Sequence, residues 1–302
     1  MSPVIVFGPT GSVASIAATT AHENGAKVVL AMRDPKKTIP GLSQEQERDG
    51  GYERAQADLH NPDSVAAAVK TTGATRAFIY LAFGSPDHMK STLQALRSAG
   101  ITFVVFLSSF TIAGEPRDVP TDELIPYHHA QVELSLDEVF GENYVAVRPG
   151  GFITNLLLFK NEIAAGEVKL ATPNFEIDAV TPTDMGRVSG IILAKGPKNG
   201  QRKVYVYGPQ EISQKNAVES IGKILGKPVK ITQVTPQEGV EQYVQAGTPQ
   251  PLAEYLVRKA QEPEGLGRAF YKDGVENVRL YTGKPGTTFT EWVEANKGLF
   301  EV

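Results

Sequence analysis

A glycine-rich segment near the amino terminus constrains the fold of this chain more than any other feature. It spans Gly8–Ala14, follows directly on the apolar run Val4–Phe7 and opens a stretch of helical period. In the spacing G-x-x-G-x-x-A, the first glycine permits a tight turn, the second lets the backbone approach a pyrophosphate, and the small third residue lets helix pack on strand. A glycine turn of purely conformational origin is the alternative. We predict a dinucleotide-binding unit with its contacts at Gly8, Thr10, Gly11, Ser12 and Val13.

Short β-branched or apolar runs alternate with stretches of helical period through the first half of the chain. This alternation predicts an α/β fold, a Rossmann-type doubly wound parallel sheet with helices on both faces. We expect six strands, at Val4–Phe7, Lys27–Met32, Tyr52–Ala57, Arg76–Leu81, Thr102–Leu107 and Tyr144–Val147. We expect four helices between them, at Gly11–Asn24, Pro62–Lys70, Asp87–Ala99 and Glu123–Phe140.

Beyond Pro149 the order loosens into mixed short elements. The pattern predicts strands at Lys203–Tyr207 and Lys230–Val234, with helices at Ser213–Leu225 and near Pro236–Ala246 and Leu252–Glu262. We expect residues 1–150 to form the NADP(H)-binding domain. Residues 151–302 would form a smaller mixed α/β substrate-capping region packed on the carboxyl edge of the sheet, not cleanly separable from it.

Composition excludes several classes of partner. Thirty Lys and Arg face 34 Asp and Glu, a net charge of −4, so the basic excess of a nucleic-acid-binding surface is missing. The absence of cysteine rules out disulfides, thiolate nucleophiles and cysteine-ligated metals, and it fits a reducing compartment. No apolar run reaches the roughly 18 residues of a membrane span. We expect a cytoplasmic monomer or homodimer that binds neither nucleic acid, membrane nor metal.

The end of the second predicted strand bears on the choice of cofactor. Arg33 follows Met32, and Asp34 follows Arg33. An arginine here accommodates the 2′-phosphate of NADP, whereas an acidic residue hydrogen-bonds the 2′-hydroxyl of NAD. Because Arg33 comes first, we predict NADP(H); Asp34 would favour NAD if the strand ended one residue later.

Two further strand ends face the same predicted crevice. Asp58 closes the third strand, where its carboxylate would accept from the adenine amino group; a turn or helix-cap role is the alternative. A small-residue loop closes the fourth strand and would pass beneath the cofactor, with candidate contacts at Ala82, Phe83 and Gly84. The carboxyl ends of parallel strands are where ligands collect, which places all these residues at one edge.

Several short motifs occur in order along nearly the whole chain: Gly8–Gly11, Arg33–Pro35, Ala57–Leu59, Ser108–Ser109, His129–Glu133, Arg148–Phe152 with Asn155, Pro182–Gly186 and Thr288–Trp292. Together they resemble the NmrA-like family of atypical short-chain dehydrogenases/reductases. The resemblance implies a Rossmann domain, NADP(H) preference and a small substrate-capping region. It does not imply one activity, because the family is similar across quinone or enone reductases, isoflavone-reductase-like enzymes, biosynthetic reductases and cyclases, and transcriptional regulators that sense the cofactor.

The acid–base residues depart from the pattern typical of short-chain dehydrogenases. Those enzymes pair a serine with Tyr-x-x-x-Lys, in which lysine lowers the tyrosine pKa and holds the nicotinamide ribose. Here Ser108 is the candidate serine and Tyr127 the next aromatic hydroxyl, but the position four residues later is Gln131. Glutamine can hydrogen-bond a ribose but carries no charge. Tyr127 is therefore either a proton donor without its usual activator or an ordinary amphipathic tyrosine.

Other residues offer alternatives at the same place. Histidine titrates near neutrality, so His128 or His129 is a candidate acid, although an i, i+4 contact of His129 with Glu133 is the simpler interpretation. Ser108 is either a ligand for a substrate oxygen or a strand-end cap. Gly150 and Phe152, after the sixth strand, either cover the nicotinamide or connect to the second region. The predicted pocket is apolar and aromatic, drawn from Phe83, Phe110, Tyr127, Phe152 and Phe159.

Three functional hypotheses follow. The first is an NADPH-dependent oxidoreductase that reduces a carbonyl, enone, quinone or imine of a small apolar molecule, with catalytic candidates Tyr127, His129 and Ser108. The second is an NADP(H)-binding redox sensor without catalysis, which the missing lysine favours. The third is a redox-neutral isomerase or cyclase on the same fold.

Overall fold

The computed structural model describes residues 2–262 and 270–301. The described residues fall into two compact units. The first unit takes residues 1–149, 182–206 and 270–285; the second takes 150–181, 207–269 and 286–302. The segments 182–206 and 270–285, which the sequence pattern assigned to the second region, thus belong with the first.

Elements are numbered along the whole chain. The strands are β1 (Val4–Phe7), β2 (Val28–Met32), β3 (Glu53–Gln56), β4 (Arg76–Tyr80), β5 (Phe103–Leu107), β6 (Tyr144–Pro149), β7 (Glu167–Leu170), β8 (Glu176–Ile177), β9 (Lys203–Val206), β10 (Ile212–Ser213) and β11 (Lys230–Gln233). The α-helices are α1 (Ser12–Glu23), α2 (Gln44–Asp49), α3 (Pro62–Thr72), α4 (Lys90–Ala99), α5 (Leu124–Phe140), α6 (Lys160–Ala165), α7 (Pro182–Lys195), α8 (Gln214–Ile224), α9 (Pro236–Gln245), α10 (Gln250–Gln261), α11 (Tyr271–Thr282) and α12 (Phe289–Ala295).

A seven-stranded parallel sheet forms the centre of the first unit, in the order β3-β2-β1-β4-β5-β6-β9. This order confirms the predicted Rossmann-type sheet, and the six predicted strands are all present. The expectation of six strands is wrong by one. Lys203–Val206, predicted as part of the second region, is β9 at the sheet edge beside β6. A short apolar run does not reveal from sequence which sheet it will join.

Helices cover both faces of this sheet. On one face a continuous core joins strand residues such as Ile5, Ile79 and Phe106 to Val132 and Leu136 of α5, together with residues of α3 and α4. On the other face α1 packs closely against α7. At Gly186 of α7 an added Cβ would lie 2.6 Å from the Cβ of Ile16. Only glycine permits this close approach of the two helices. Helix α7, which the sequence pattern did not indicate, therefore packs against α1, the helix that follows the glycine-rich loop.

Helix α4 starts later than its periodicity predicts. The apolar spacing indicated a helix from Asp87, but regular geometry begins at Lys90. His88 and Met89 have φ of 51° and 65°, in the left-handed region, which excludes them from the helix. The Asp87 carboxylate instead accepts from the Ser91 backbone N–H at 2.8 Å, capping the start of the helix.

The second unit has a core of its own, drawn from α6, β7, α8, α12 and the 3₁₀ turn Ile153–Phe159. Phe159, a predicted pocket residue, packs in this core at 6% exposure, beside Trp292 and Phe300 among others. Two small sheets accompany it: β7 pairs with β11 in parallel, and β8 pairs with β10 antiparallel. Within 2–262 and 270–301, none of the helices is both long and apolar enough to cross a membrane.

Candidate functional site

The glycine-rich loop has the geometry of an anion site. Gly8 has φ of 67°, in the left-handed region, and its N–H donates to the Ala31 carbonyl at 2.9 Å. Gly11 is the N-cap of α1, and an added Cβ there would lie 3.4 Å from the Gly8 carbonyl oxygen. No side chain caps the helix, and its first turn contains no acidic residue. The loop therefore leaves backbone donors and a positive dipole end free for a phosphate.

Strand register brings the other predicted contacts to the same edge. Phe7 of β1 pairs with Ala31 of β2, and Met32 pairs with Gln56 of β3. The residues that follow these strands, Arg33 among them, therefore emerge beside the glycine-rich loop. This is the crevice edge of an open α/β sheet.

The two residues after β2 are not equivalent. The Asp34 carboxylate accepts from the Lys36 backbone N–H at 2.9 Å, so it closes a local turn. The Arg33 side chain is exposed, and within the part of the chain that the structure describes it has no hydrogen-bonding or ionic partner. Since β2 ends at Met32, Arg33 is the first side chain beyond the strand and is free to bind an anion.

Asp58 takes part in a turn at the end of β3. Its Oδ1 accepts from the His60 backbone N–H at 3.0 Å, and its own N–H donates to the Ser64 hydroxyl. Asn61, not Asp58, is the N-cap of α3. The turn alternative is thus present in the structure, and adenine contact by the Asp58 carboxylate stays a prediction.

The loop after β4 presents an exposed aromatic ring. Ala82 is buried and its N–H donates to the Met89 sulfur at 3.3 Å. Phe83 next to it is 53% exposed, and Gly84 has φ of 84° with nothing near its Cβ position. The loop therefore turns at Gly84 and leaves the Phe83 ring facing outward.

Phe83 meets the start of α5, which carries the predicted acid–base residues. Its ring stands edge-on to His128, with centroids 5.4 Å apart, and to His129 at 6.5 Å. Tyr127 lies edge-on to His88 at 5.7 Å. The structure thus brings Phe83, Tyr127, His128 and His129 into one aromatic cluster with His88, which the sequence pattern had not singled out.

The polar atoms of this cluster differ in whether they already have a hydrogen-bonding partner. His129 donates its Nδ1–H to the Ile125 carbonyl at 2.8 Å, so in the neutral ring Nε2 is an acceptor. Burial lowers the pKa of His129, so the neutral ring prevails near pH 7. Within the described residues, the Tyr127 hydroxyl and the Gln131 amide have no hydrogen-bonding partner, and both side chains are half-buried. Tyr127 is therefore the better-placed donor, and its catalytic role stays a prediction.

A buried ion pair that the sequence pattern did not reveal lies behind the cluster. Glu133 and Arg148 are 0% and 1% exposed and form two parallel bonds of 3.0 and 2.6 Å. The Ser108 hydroxyl donates to Glu133 Oε1 at 2.6 Å, and Arg148 also donates to Tyr205 Oη at 2.9 Å. The Glu133 carboxylate is thus hydrogen-bonded to Arg148 and Ser108, and its contribution at His129 is electrostatic, acting against the lowering of the His129 pKa.

This network fixes the roles open to its members. Burial alone would lower the pKa of Arg148, but its bonds to Glu133 raise it, so the guanidinium stays charged. Ser108 is 4% exposed and its proton is directed to Glu133, so toward a substrate it offers only an acceptor. The structural role of Ser108 is its hydrogen bond to Glu133, and its catalytic role stays a prediction.

The comparisons with known proteins decide the family. The sequence profile described as "NmrA-like family" matches residues 1–293. A nitrogen metabolite regulation-like protein of Gibberella fujikuroi is 36% identical over 97% of this chain and 96% of its own length. The chain belongs to the NmrA-like family.

More distant relatives of this NmrA-like protein include enzymes. The NAD(P)H azoreductase of Xenophilus azovorans is 24% identical over 98% of this chain and 99% of its own length. Among solved structures, an NADPH-dependent quinone oxidoreductase of Escherichia coli, complexed with NADPH, superposes with a TM-score of 0.75. It is 18% identical and covers 97% of this chain and 99% of its own. At that identity the superposition supports the Rossmann-like fold alone.

Two predicted cofactor contacts of this NmrA-like chain, Gly150 and Phe152, lie in the second unit. Phe152 forms a parallel bridge with Val180. A Cβ on Gly150 would lie 2.2 Å from a carboxylate oxygen of Asp178, which accepts from the Gly151 N–H at 2.9 Å. Gly150 is therefore required by close approach of Asp178, and not by a left-handed turn. Its predicted contact with the cofactor stays a prediction.

Proposed function

We propose that this protein is an NADPH-dependent oxidoreductase acting on a small apolar molecule. The observation that carries the proposal is the amino terminus of α1, which has no side-chain cap and no acidic residue in its first turn. It lies at the carboxyl edge of a parallel sheet, where Arg33 follows the neighbouring strand β2 and has no side-chain partner among the described residues. A site with unpaired backbone N–H groups and an arginine suits a dinucleotide with an additional phosphate.

NADP(H) fits these residues better than NAD(H). The carboxylate that would hydrogen-bond the 2′-hydroxyl of NAD is that of Asp34, which is bound to the Lys36 N–H instead. Arg33 has no competing partner within residues 2–262 and 270–301, so its guanidinium is available for a 2′-phosphate.

NADPH, when bound, supplies a hydride. The protein would position the acceptor against the exposed ring of Phe83 and provide a proton at the start of α5. The free Tyr127 hydroxyl is the side-chain donor that the geometry favours, with solvent as the alternative. Gln131 stands where those enzymes have lysine, so this position supplies no positive charge to assist proton transfer from the phenol. Acceptors that need little acid assistance, such as quinones, enones and iminium ions, are therefore the best candidates.

The aromatic cluster suits a flat substrate. Phe83 and the imidazoles near it offer ring faces and edges rather than charge, because burial lowers the pKa of His128 and favours its neutral form. The azoreductase and quinone oxidoreductase among the relatives are named for flat, conjugated acceptors. A cysteine-free chain suits a reducing compartment, and we place the protein in the cytoplasm.

A second function has one specific observation in its favour. The relative at 36% identity is named as a regulation-like protein, and the glutamine at position 131 removes the usual activator of the catalytic tyrosine. In that case NADP(H) would bind at the same crevice, and its occupancy or redox state would be the signal.

The two functions separate in one experiment. The purified protein is titrated with NADPH and NADH, then screened for NADPH oxidation with quinones, enones, azo dyes and cyclic imines, using wild type and Tyr127→Phe. Binding of NADPH with turnover supports the reductase, and a slower Tyr127→Phe variant would assign the phenol as donor. Binding without turnover of any acceptor class favours the sensor. If neither nucleotide binds, both functions are excluded.

A further inference from the structure

Tyr80 is the last residue of β4 and stands level with the glycine-rich loop. Val6 of β1 pairs with Phe78 of β4, so two residues further along Tyr80 is beside Gly8. Its neighbour Ile79 points into the core beneath α3, α4 and α5. Because side chains alternate along a strand, Tyr80 points to the opposite face.

The Tyr80 ring lies directly on the first glycine of the loop. A Cβ added to Gly8 would lie 2.5 Å from Tyr80 Cε1 and 3.2 Å from its hydroxyl oxygen. Tyr80 is nevertheless 38% exposed. Across 2–262 and 270–301, its hydroxyl has no hydrogen-bonding partner. An unpaired donor is thus held above the turn of a phosphate-binding loop.

The charged groups that act on this hydroxyl are Arg33 and Asp58, which lie at the adenosine end of the predicted crevice. Burial raises the pKa of Tyr80; Arg33 acts against that shift and Asp58 adds to it. The phenol therefore keeps its proton at neutral pH. Its O–H can donate a hydrogen bond, and that bond is stronger when the acceptor is an anion. Arg33 follows β2, whose end meets the 2′ position of the adenosine ribose in this type of sheet, and Asp58 follows β3, the neighbouring strand.

We propose that Tyr80 binds the ribose 2′-phosphate of NADP(H), with its hydroxyl donating to a phosphate oxygen beside the Arg33 guanidinium. The inference rests on the proposed function and assigns a specificity-determining residue to it. A ring alone would suffice to cover Gly8, so phenylalanine would fulfil a purely structural role. The exposed, unpaired hydroxyl at this position is what points to a ligand.

The test removes that hydroxyl and keeps the ring. Wild type, Tyr80→Phe and Tyr52→Phe are titrated calorimetrically with NADPH, NADH and adenosine 2′,5′-bisphosphate. Tyr52 is the matched control: it precedes β3 at the opposite end of the sheet, stacked on His22, and its hydroxyl also has no partner among the described residues. Thermal unfolding of all three proteins verifies that they fold alike.

We expect Tyr80→Phe to raise the Kd of NADPH and of the bisphosphate about tenfold, the effect of losing a hydrogen bond to a charged group. The Kd of NADH should stay unchanged, and Tyr52→Phe should match wild type. An equal loss of affinity for NADPH and NADH would mean that the hydroxyl binds the diphosphate common to both, and would overturn the assignment. Unchanged NADPH binding would also overturn it while leaving the proposed function intact. If the wild type binds no nucleotide, both the proposed function and the role of Tyr80 are excluded.

Discussion

The two ends of the carboxyl edge of the sheet are built in different ways. At the adenosine end, the ligand would meet backbone N–H groups from the Gly8–Ser12 loop, whose conformation follows from local sequence. At the α5 end, the candidate groups are side chains, and Glu133 of the same helix is bound to Arg148 and Ser108 in a buried network. A site made of backbone groups is thus encoded in one short segment, whereas a site made of side chains depends on residues distant in sequence.

Glu133→Gln should produce the largest effect, because it leaves the Arg148 guanidinium buried beside a neutral amide. We expect the free energy of unfolding to fall by about 3–5 kcal/mol, measured by urea denaturation. Glu138→Gln is the control on the same helix, since its pair with Lys90 is largely exposed and should contribute about 0–1 kcal/mol. Equal losses in the two variants would mean that the buried pair does not hold the α5 end together.

Gly8→Ala tests the backbone end. An alanine at φ of 67° is strained, and its Cβ would collide with the Tyr80 ring. Gly51→Ala has the same strain at φ of 66° but open space around it, so it should cost about 1–2 kcal/mol. We expect a larger stability loss for Gly8→Ala, together with loss of NADPH binding by calorimetry. Similar stability and binding in both variants would show that Tyr80 does not constrain the loop.

Arg33→Gln separates the two cofactors at the adenosine end. Removing the guanidinium should raise the Kd of NADPH about tenfold or more, because hydrogen bonds to charged groups contribute about 1.5–3 kcal/mol. NADH binding should change little. Arg48→Gln, an exposed arginine of α2 beside Asp49, is the control. A parallel loss of NADH affinity would indicate that Arg33 binds a part common to both nucleotides.

The pH dependence of stability probes the α5 end and has the smallest expected effect. Burial holds the pKa of His129 below its ordinary value of 6.5. Between that lowered pKa and 6.5 the unfolded chain binds more protons, so stability rises with pH in this window. The contribution is at most about 1.4 kcal/mol per pH unit. Denaturation between pH 5 and 7 should show a smaller slope for His129→Gln than for wild type; an identical slope would contradict a buried, neutral His129.

Sequence periodicity predicted the sheet well because parallel strands are buried on both faces and appear as short apolar runs. It missed β9 as the seventh strand and did not indicate α7 at all. The pairing of a strand and the packing of a helix depend on partners far along the chain, as Gly186 against Ile16 shows. The late start of α4 followed from the left-handed backbone at His88 and Met89, which no propensity of those residue types indicates.

In the candidate site too, features set by local sequence were predicted, and contacts between distant residues were not. Spacing alone predicted Arg33 and the glycine-rich loop as neighbours at one sheet edge, and the register of β1 and β2 places them there; their contact with a cofactor stays a prediction. Tyr80 was missed, although the alternation of side chains along β4 and its place at the strand end were signals for it. The hydrogen bonds of Glu133 to Arg148 were missed, since the i, i+4 rule describes neighbours on one helix and gives no information on a buried arginine from β6.

The local backbone could be read from the amino-acid order alone: a strand, a glycine turn and a helix start without a side-chain cap follow one another within Val4–Ser12. The chemistry of the side chains, in contrast, depends on tertiary contacts. In the folded chain Glu133 binds Arg148, the Ser108 hydroxyl donates to Glu133, and burial favours the neutral form of His129. Among the residues that the structure describes, the polar side-chain atoms of Tyr80, Arg33 and Tyr127 have no hydrogen-bonding partner. Hydrogen-bond availability and pKa depend on desolvation and on contacts between distant residues, so they exist only once the chain is folded.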